Sequence, residues 1–264
     1  MPHFTEVDEH RLRDVVAYLR AAVFQNRTLY DRHFTKGRCI MIFHDRRDAG
    51  RQLAGQLQHH ESSRPVVLAL PRGGVPVGYE VARALDAPLD ILVVRKLGAP
   101  GQPELAIGAL VDGDRPEGVL NESTIAMLGV DRTHLRAEIE REIGEIRRRQ
   151  AVYRGGRPPL ALAGRVVIVV DDGLATGSTM RAALRGVRHH APKRLVLAVP
   201  VAPPDVLAAL AAEVDEVVCL HKPTDFDAVG RFYRDFEQIS DTEVVRLLDD
   251  ARHAAATAHA AAMR

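Results

Sequence analysis

The feature that most constrains the fold is a run of four apolar residues that ends in two adjacent carboxylates. The run extends from Val167 to Val170, continues into Asp171 and Asp172, and leads through a loop of small and hydroxyl residues into a helical pattern. An apolar run of this length predicts a strand buried on both faces of a parallel sheet. The carboxyl end of such a strand is where open α/β sheets bind ligands.

The loop after the two acids predicts a phosphate site. Between Ala175 and Thr179, backbone N–H groups and hydroxyls can face one point at a helix N-terminus, which is a geometry that holds phosphate. The acids at the rim suit ligand hydroxyls or a hydrated metal ion, so the motif predicts a ligand with a phosphate and a polyol, together with Mg²⁺. A Walker A loop is excluded because Gly173 and Gly177 are too close and no Lys follows. The alternative is a buried strand that ends in an ordinary Asp-Gly turn.

The rest of the chain supports an α/β fold. Runs of Val, Leu and Ile alternate with helical patterns, which is typical of a parallel sheet covered on both faces. The other predicted strands cover residues 66–70, 91–94, 105–111, 195–199 and 217–220. The predicted helices cover residues 8–24, 46–60 with Asp45 as cap, 75–85, 121–128, 132–153, 180–190, 204–213 and 241–263.

The pattern divides the 264 residues into three parts. We predict a helical N-terminal extension over 1–38, a main domain over 39–240 with a helical insertion at about 131–154, and a C-terminal helix or tail over 241–264. Met41 offers an alternative start, so residues 1–38 are either an extension or an artefact of the assigned start.

Composition excludes several classes of protein. The net charge of +1 gives no bulk attraction to nucleic acid or membranes, and no apolar run is long enough to span a bilayer. The first residues lack the pattern of a signal peptide. The two cysteines, Cys39 and Cys219, lack metal-ligand spacing and are expected to be reduced thiols. We therefore expect a cytoplasmic protein.

A second cluster follows the strand at 66–70. Gly73 and Gly74 let a backbone approach a ligand closely, and Arg72 adds a positive charge, so this strand-to-helix turn suits a diphosphate. The alternative is a plain turn that carries a surface arginine.

The stretch from Val167 to Thr179 resembles the binding motif for 5-phosphoribosyl 1-pyrophosphate (PRPP) of the type I phosphoribosyltransferases. The resemblance covers roughly residues 40–236 and implies that family's fold, with a central, mostly parallel sheet flanked by helices and a small hood. It implies that Asp171 and Asp172 bind the ribose hydroxyls. The residues implied to bind the 5-phosphate are Ala175, Thr176, Gly177, Ser178 and Thr179.

The resemblance also implies roles for two loops. Arg72, Gly73 and Gly74 match the family's pyrophosphate loop, which often contains a cis peptide. The Gly- and Pro-rich stretch at 95–104 matches the mobile loop that closes over the reactants, with Arg95 and Lys96 reaching the diphosphate. The alternative for this stretch is a solvated loop with two basic residues.

The acceptor site is less well defined by the resemblance. The family's hood holds a nitrogenous base, and Lys222 and Phe226 fall where such residues would lie. The alternative for the nearby Phe232 and Phe236 is that they anchor the C-terminal segment on the core. Family members that act on 6-oxopurines carry an acid where Ala175 stands, so hypoxanthine and guanine are disfavoured.

The implied reaction is transfer of the ribosyl 5-phosphate group from PRPP to a nitrogenous base or related nucleophile, with release of pyrophosphate. The implied Mg²⁺ is held mainly by PRPP and water. The implied catalytic residues are Arg95, Lys96, Asp171 and Asp172. The alternative is a non-catalytic PRPP- or nucleotide-binding regulator on the same fold. The arginines at 147–149, 154 and 157 form either an RNA or partner surface or a salt-bridged helix face, and the second is favoured. The small-molecule acceptor is undefined, and a homodimer is one expectation.

Overall fold

A computed structural model describes residues 43–113 and 116–262. The helix predicted at 8–24, and with it the N-terminal extension, lies outside the described residues. In the described part, no helix is long and apolar enough to cross a membrane.

Most of the predicted elements are present, with ends shifted by a few residues. The helices are α1 (Arg46–Leu57), α2 (Gly74–Ala84), α3 (Glu122–Leu128), α4 (Arg132–Arg154), α5 (Ser178–His189), α6 (Pro204–Leu210) and α7 (Asp241–Ala262). The strands are β1 (Val66–Ala69), β2 (Leu89–Ile91), β3 (Val94–Ala99), β4 (Gln102–Val111), β5 (Glu117–Leu120), β6 (Val166–Val170), β7 (Arg194–Val201) and β8 (Glu216–His221). Short 3₁₀ turns cover Gln58–Ser63, Ala211–Glu213 and Val229–Phe232.

The central sheet has five strands in the order β2-β1-β6-β7-β8, and every neighbouring pair is parallel. Alternate residues of each strand enter two separate cores. On one face, residues such as Ile168 and Val170 pack with α1, α2, α4 and α7. On the other face, Val167 and Val169 pack with α5 and α6. Burial on both faces explains why the strands are continuous apolar runs, and the predicted mostly parallel α/β sheet is confirmed.

The structure of residues 91–104 differs from the predicted strand and mobile loop. The strand predicted at 91–94 ends at Ile91, and Val94–Ala99 pairs antiparallel with Gln102–Val111 in a second sheet, ordered β3-β4-β5. The prediction of an open loop over 95–104 is therefore wrong. The glycine that suggested a loop, Gly98, lies at a register shift between β3 and β4, where the ladder tolerates an irregular residue.

The helix predicted at 132–153 is present as α4, and it supports the second sheet. Glu142 accepts a hydrogen bond from Arg95 Nε at 2.6 Å, and Glu138 accepts one from the backbone N–H of Gly98 at 3.2 Å. The predicted pairs of Glu138 with Arg141 and Glu145 with Arg148 are also formed. Helix α4 is therefore fastened to β3 through buried or half-buried carboxylates.

One arginine of the predicted salt-bridged face is buried. Arg154, at the end of α4, donates to Asp90 at 2.9 Å and lies 2.9 Å from a carboxylate oxygen of Asp112. Its side chain is 7% exposed. Arg154 therefore joins α4 to β2 and to the end of β4, and it does not belong to a solvated surface.

Candidate functional site

Two loops meet at the carboxyl edge of the central sheet. Strand β6 ends in Asp171 and Asp172, and its neighbour β1 leads into the Gly73-Gly74 turn. A Cβ atom on Gly73 would overlap a carboxylate oxygen of Asp172, and one on Gly74 would lie 2.9 Å from the Cα of Asp171. The two predicted binding loops are thus in direct contact, and glycine is what permits it. The peptide bond between Pro71 and Arg72 is cis.

Gly74→Ala is expected to destabilise the protein by about 1–3 kcal/mol, the usual cost of forcing a methyl group into a packed site. The new methyl would meet the backbone of Asp171 and the carbonyl oxygen of Val170, at 2.9 Å each, and neither can rotate away. Gly55→Ala is the matched control, because a Cβ there meets nothing within 4 Å and alanine favours a helix by about 0.5–1 kcal/mol. Urea unfolding of both variants measures the difference. Equal stabilities would contradict the proposed close contact.

The two acids influence each other's protonation. Burial and the neighbouring Asp172 charge raise the pKa of Asp171 well above its ordinary value. Burial also raises the pKa of Asp172, but Arg46 opposes that increase. Asp171 accepts a hydrogen bond from the backbone N–H of Asp172 at 2.9 Å. Ionisation of both acids is therefore disfavoured in the folded protein, and ligand hydroxyls or a cation would stabilise the ionised pair.

Arg46 is a site residue that the sequence analysis did not identify. Its Nε donates to Asp172 at 2.8 Å, its Nη1 donates to the carbonyl oxygen of Glu237 at 2.8 Å, and its guanidinium lies 3.8 Å from the centre of the Phe236 ring. Arg46 begins α1, whose cap is the predicted Asp45. These contacts hold the carboxylate of Asp172 in one orientation.

The C-terminal segment completes the support of the acid pair. Tyr233 donates its hydroxyl to the carbonyl oxygen of Asp172 at 2.5 Å. Backbone hydrogen bonds join Phe43 to Phe232 and Arg234, at 3.0 and 2.9 Å. Phe232 is 5% exposed, so its predicted alternative role as a core anchor is confirmed. Phe236 is more exposed and packs on Tyr233 and Arg46.

The predicted phosphate loop leads into the N-terminus of α5. Gly177, directly before the helix, has a φ of +69°, and no described side chain caps the helix. The first backbone N–H groups of a helix lack partners within the helix, so they are available to an anion. Ala175, Thr176 and Ser178 are exposed, and the hydroxyls of Thr176 and Ser178 lie 3.2 Å apart. Thr179 is half-buried in the first turn.

Of the residues predicted to bind the diphosphate, Arg72 lies near the acid pair, whereas Arg95 and Lys96 do not. Arg72 adjoins the glycine turn, and its Nη1 lies 3.9 Å from Asp241, which also accepts a hydrogen bond from Tyr153 at 2.6 Å. On β3, Arg95 is paired with Glu142, and Lys96 is exposed. No contact joins Arg95 or Lys96 to the acid pair in the described residues. Their predicted catalytic role therefore depends on a movement of β3 and β4.

The predicted base-binding residues follow β8, at the same edge of the sheet as the acids. Lys222 is exposed, and Phe226 is half-buried and stacks on Phe232 with ring centres 5.5 Å apart. Phe232 also contacts the ring of His221, at 5.5 Å. An aromatic cluster thus lies at the same edge of the sheet as the acid pair, and Phe226 is more exposed than Phe232.

The parallel α/β sheet carries an acid pair, a Gly-Gly turn and an uncapped helix N-terminus at one edge, an arrangement that suits a phosphorylated ligand. The chain belongs to the phosphoribosyl transferase domain family, whose model matches residues 42–237. This confirms the predicted family and fold.

Three similar proteins support the assignment. Two Mycobacterium tuberculosis proteins, named "Putative phosphoribosyl transferase MT0597" (strain CDC 1551 / Oshkosh) and "Putative phosphoribosyl transferase Rv0571c" (strain ATCC 25618 / H37Rv), are each 50% identical over 213 residues, or 80% of this chain. The chain spans about half the length of these curated relatives, 47% of each. The crystal structure of TT1426 from Thermus thermophilus is 46% identical, covers 80% of this chain and 99% of its own, and has a TM-score of 0.70.

Proposed function

We propose that the protein transfers the ribosyl 5-phosphate group from PRPP to a nitrogenous base and releases pyrophosphate. The observation that carries the proposal is the contact between the Gly73-Gly74 turn and the Asp171–Asp172 pair, next to the N-terminus of α5. These three parts match the diphosphate, hydroxyl and phosphate groups of one ligand. Asp171 and Asp172 hold the ribose hydroxyls, and the residues from Ala175 to Thr179 hold the 5-phosphate.

Catalysis in this proposal depends on positioning and on charge. The diphosphate lies against the Gly73-Gly74 backbone and Arg72, which stabilise the negative charge of the leaving group. The hard carboxylate oxygens at the rim suit Mg²⁺, which would be held by PRPP and water beside Asp171 and Asp172. When bound, Mg²⁺ would neutralise charge on the diphosphate. Phe226 and Lys222 are the proposed contacts of the acceptor base.

A second candidate is a non-catalytic PRPP-binding regulator on the same fold. The observation that favours a regulator is the ion pair of Arg95, whose guanidinium donates to the buried Glu142 at 2.6 Å. If Arg95 stays bonded to Glu142, its guanidinium does not reach the diphosphate, and in this candidate function the protein binds PRPP without turnover.

Calorimetric titration with PRPP, with and without Mg²⁺, tests the shared part of both proposals. We expect binding that strengthens with Mg²⁺, and weaker binding of ribose 5-phosphate or pyrophosphate alone, because each contacts only part of the site. Pyrophosphate release is then measured with adenine, xanthine and uracil, and with hypoxanthine and guanine as expected non-substrates. Binding with turnover supports the transferase, and binding without turnover supports the regulator. Lack of binding at millimolar PRPP would contradict both.

A further inference from the structure

A cluster of two histidines and a glutamate lies at the opposite edge of the central sheet. His59 and His60 belong to the 3₁₀ turn after α1, and Glu216 is the first residue of β8. His59 Nε2 lies 3.0 Å from one carboxylate oxygen of Glu216, and His60 Nε2 lies 3.1 Å from the other. The acid pair of the candidate site follows the carboxyl end of β6, whereas this cluster is at the amino end of β8. The two sites are therefore distinct.

The donor atoms converge as metal ligands do. One ligand atom from each of the three residues lies within 4.8 Å of the others. Ligand atoms around a tetrahedral Zn²⁺ lie about 3.3 Å apart, given bond lengths of roughly 2.0–2.1 Å. Each imidazole nitrogen already lies at nearly that separation from one of the two Glu216 oxygens, so side-chain rotations can bring both nitrogens around one oxygen. Two imidazoles with one carboxylate form a donor set that suits a borderline transition metal better than Mg²⁺.

We propose that His59, His60 and Glu216 form a binding site for a divalent transition metal ion, for which Zn²⁺ is the probe. The metal links the 3₁₀ turn after α1 to the start of β8, and water fills the remaining coordination position. The three ligands differ in exposure, since the side chains of His60, Glu216 and His59 are 7%, 20% and 55% exposed. His59 thus provides the side open to solvent through which the ion enters.

Arg194 would compete with a metal ion for the carboxylate of Glu216. Its Nη2 donates to the same Glu216 oxygen that His60 contacts, at 3.0 Å. The Arg194 side chain is 47% exposed and can turn into solvent when a cation takes its place. The simpler interpretation is a hydrogen-bonded cluster in which Glu216 fastens the histidine turn to the sheet. The two interpretations differ in what removal of Arg194 does to metal affinity.

Calorimetric titration of the full chain with Zn²⁺ tests the proposal, with Mg²⁺ as a second titrant. We expect one Zn²⁺ site that His59→Ala and Glu216→Gln weaken by more than about tenfold, since loss of even an outer partner of a metal ligand costs 10–100-fold. His44→Ala is the matched control, because His44 is another exposed histidine beside a carboxylate, Asp45, at 3.1 Å. Arg194→Gln should strengthen Zn²⁺ binding.

Thermal unfolding provides an independent measurement. Saturating Zn²⁺ should raise the Tm of the wild-type protein by about 5 °C and should raise that of His59→Ala much less. The proposal fails if the wild-type protein and His59→Ala bind Zn²⁺ equally, if Mg²⁺ binds as well as Zn²⁺, or if Arg194→Gln leaves the affinity unchanged.

Discussion

Asp171→Asn is expected to bind PRPP roughly 10–100-fold more weakly than the wild-type protein while it unfolds less readily at pH 8. The loss of affinity follows from the loss of a charged hydrogen-bond acceptor for a ribose hydroxyl, which is worth about 1.5–3 kcal/mol. The gain in stability follows from the raised pKa of Asp171, because asparagine removes a carboxylate that the folded protein disfavours. Calorimetry and urea unfolding measure the two effects.

The pH dependence of stability explains why Asp171→Asn is expected to be more stable than the wild-type protein. The folded protein holds the Asp171 proton more tightly than the unfolded chain, whose carboxyl has the ordinary pKa of 3.8. As the pH rises above 3.8, the unfolded chain ionises first, so this residue lowers the free energy of unfolding. Asp171→Asn does not lose this free energy of unfolding. Its stability relative to the wild-type protein should therefore increase from pH 4 towards pH 8, and the difference should vanish in acid.

Asp250→Asn is the control for this experiment. Asp250 lies on α7 in a half-exposed pair with Arg246, and such pairs contribute about 0–1 kcal/mol. The control should bind PRPP normally and should show little change in stability. If Asp171→Asn bound PRPP as tightly as the wild-type protein, Asp171 would not be a ribose ligand. If it were less stable at pH 8, the raised pKa would be wrong.

Arg46→Gln should lower the free energy of unfolding by about 3 kcal/mol, because it leaves Asp172 buried without its partner. The side chains of Arg46 and Asp172 are only 10% and 14% exposed. The expected loss is at the lower end for a buried pair, since Asp172 can take up a proton. For the same reason the loss should be larger at pH 8 than at pH 5. Urea unfolding at the two pH values measures it.

Arg51→Gln is the matched control on the same helix. Arg51 is 52% exposed and lies 3.7 Å from Asp48 and 4.0 Å from Glu80, so its removal should cost less than about 1 kcal/mol. The double variant Arg46→Gln/Asp172→Asn should recover part of the stability lost in Arg46→Gln. Equal losses in Arg46→Gln and Arg51→Gln, or a loss that does not depend on pH, would contradict a positioning role for Arg46.

Parts of the site that are local in sequence could be predicted, and parts that depend on distant contacts could not. The acids follow an apolar run directly, so their position at the end of β6 follows from strand burial and parallel pairing. Arg46 is 126 residues away from Asp172, and on the sequence it is one arginine among many at the start of an ordinary helix. Only the folded chain brings the two together.

The error at 95–104 has a similar cause. Gly98, Pro100 and Gly101 are typical of a loop, and local propensity favours that interpretation. The two strands pair with each other and bury Leu97 and Ile107 in the core. Glu138 and Glu142 of α4, 40 and 47 residues later, add hydrogen bonds to the backbone of Gly98 and the side chain of Arg95. Tertiary contacts therefore decide the structure of this segment, and sequence periodicity carries no signal of them.

The contacts of Arg46 with Asp172 and with the carbonyl oxygen of Glu237 have a consequence for biosynthesis. The second contact closes a loop of 191 residues. When the motif at 171–179 has just left the ribosome, Tyr233 and Glu237, which contact Asp172 and Arg46, have not yet emerged. At a synthesis rate of roughly 5–20 residues per second, several seconds separate the emergence of the acids from that of Tyr233 and Glu237. On the ribosome, the candidate site is therefore among the last parts of the domain to acquire its final form.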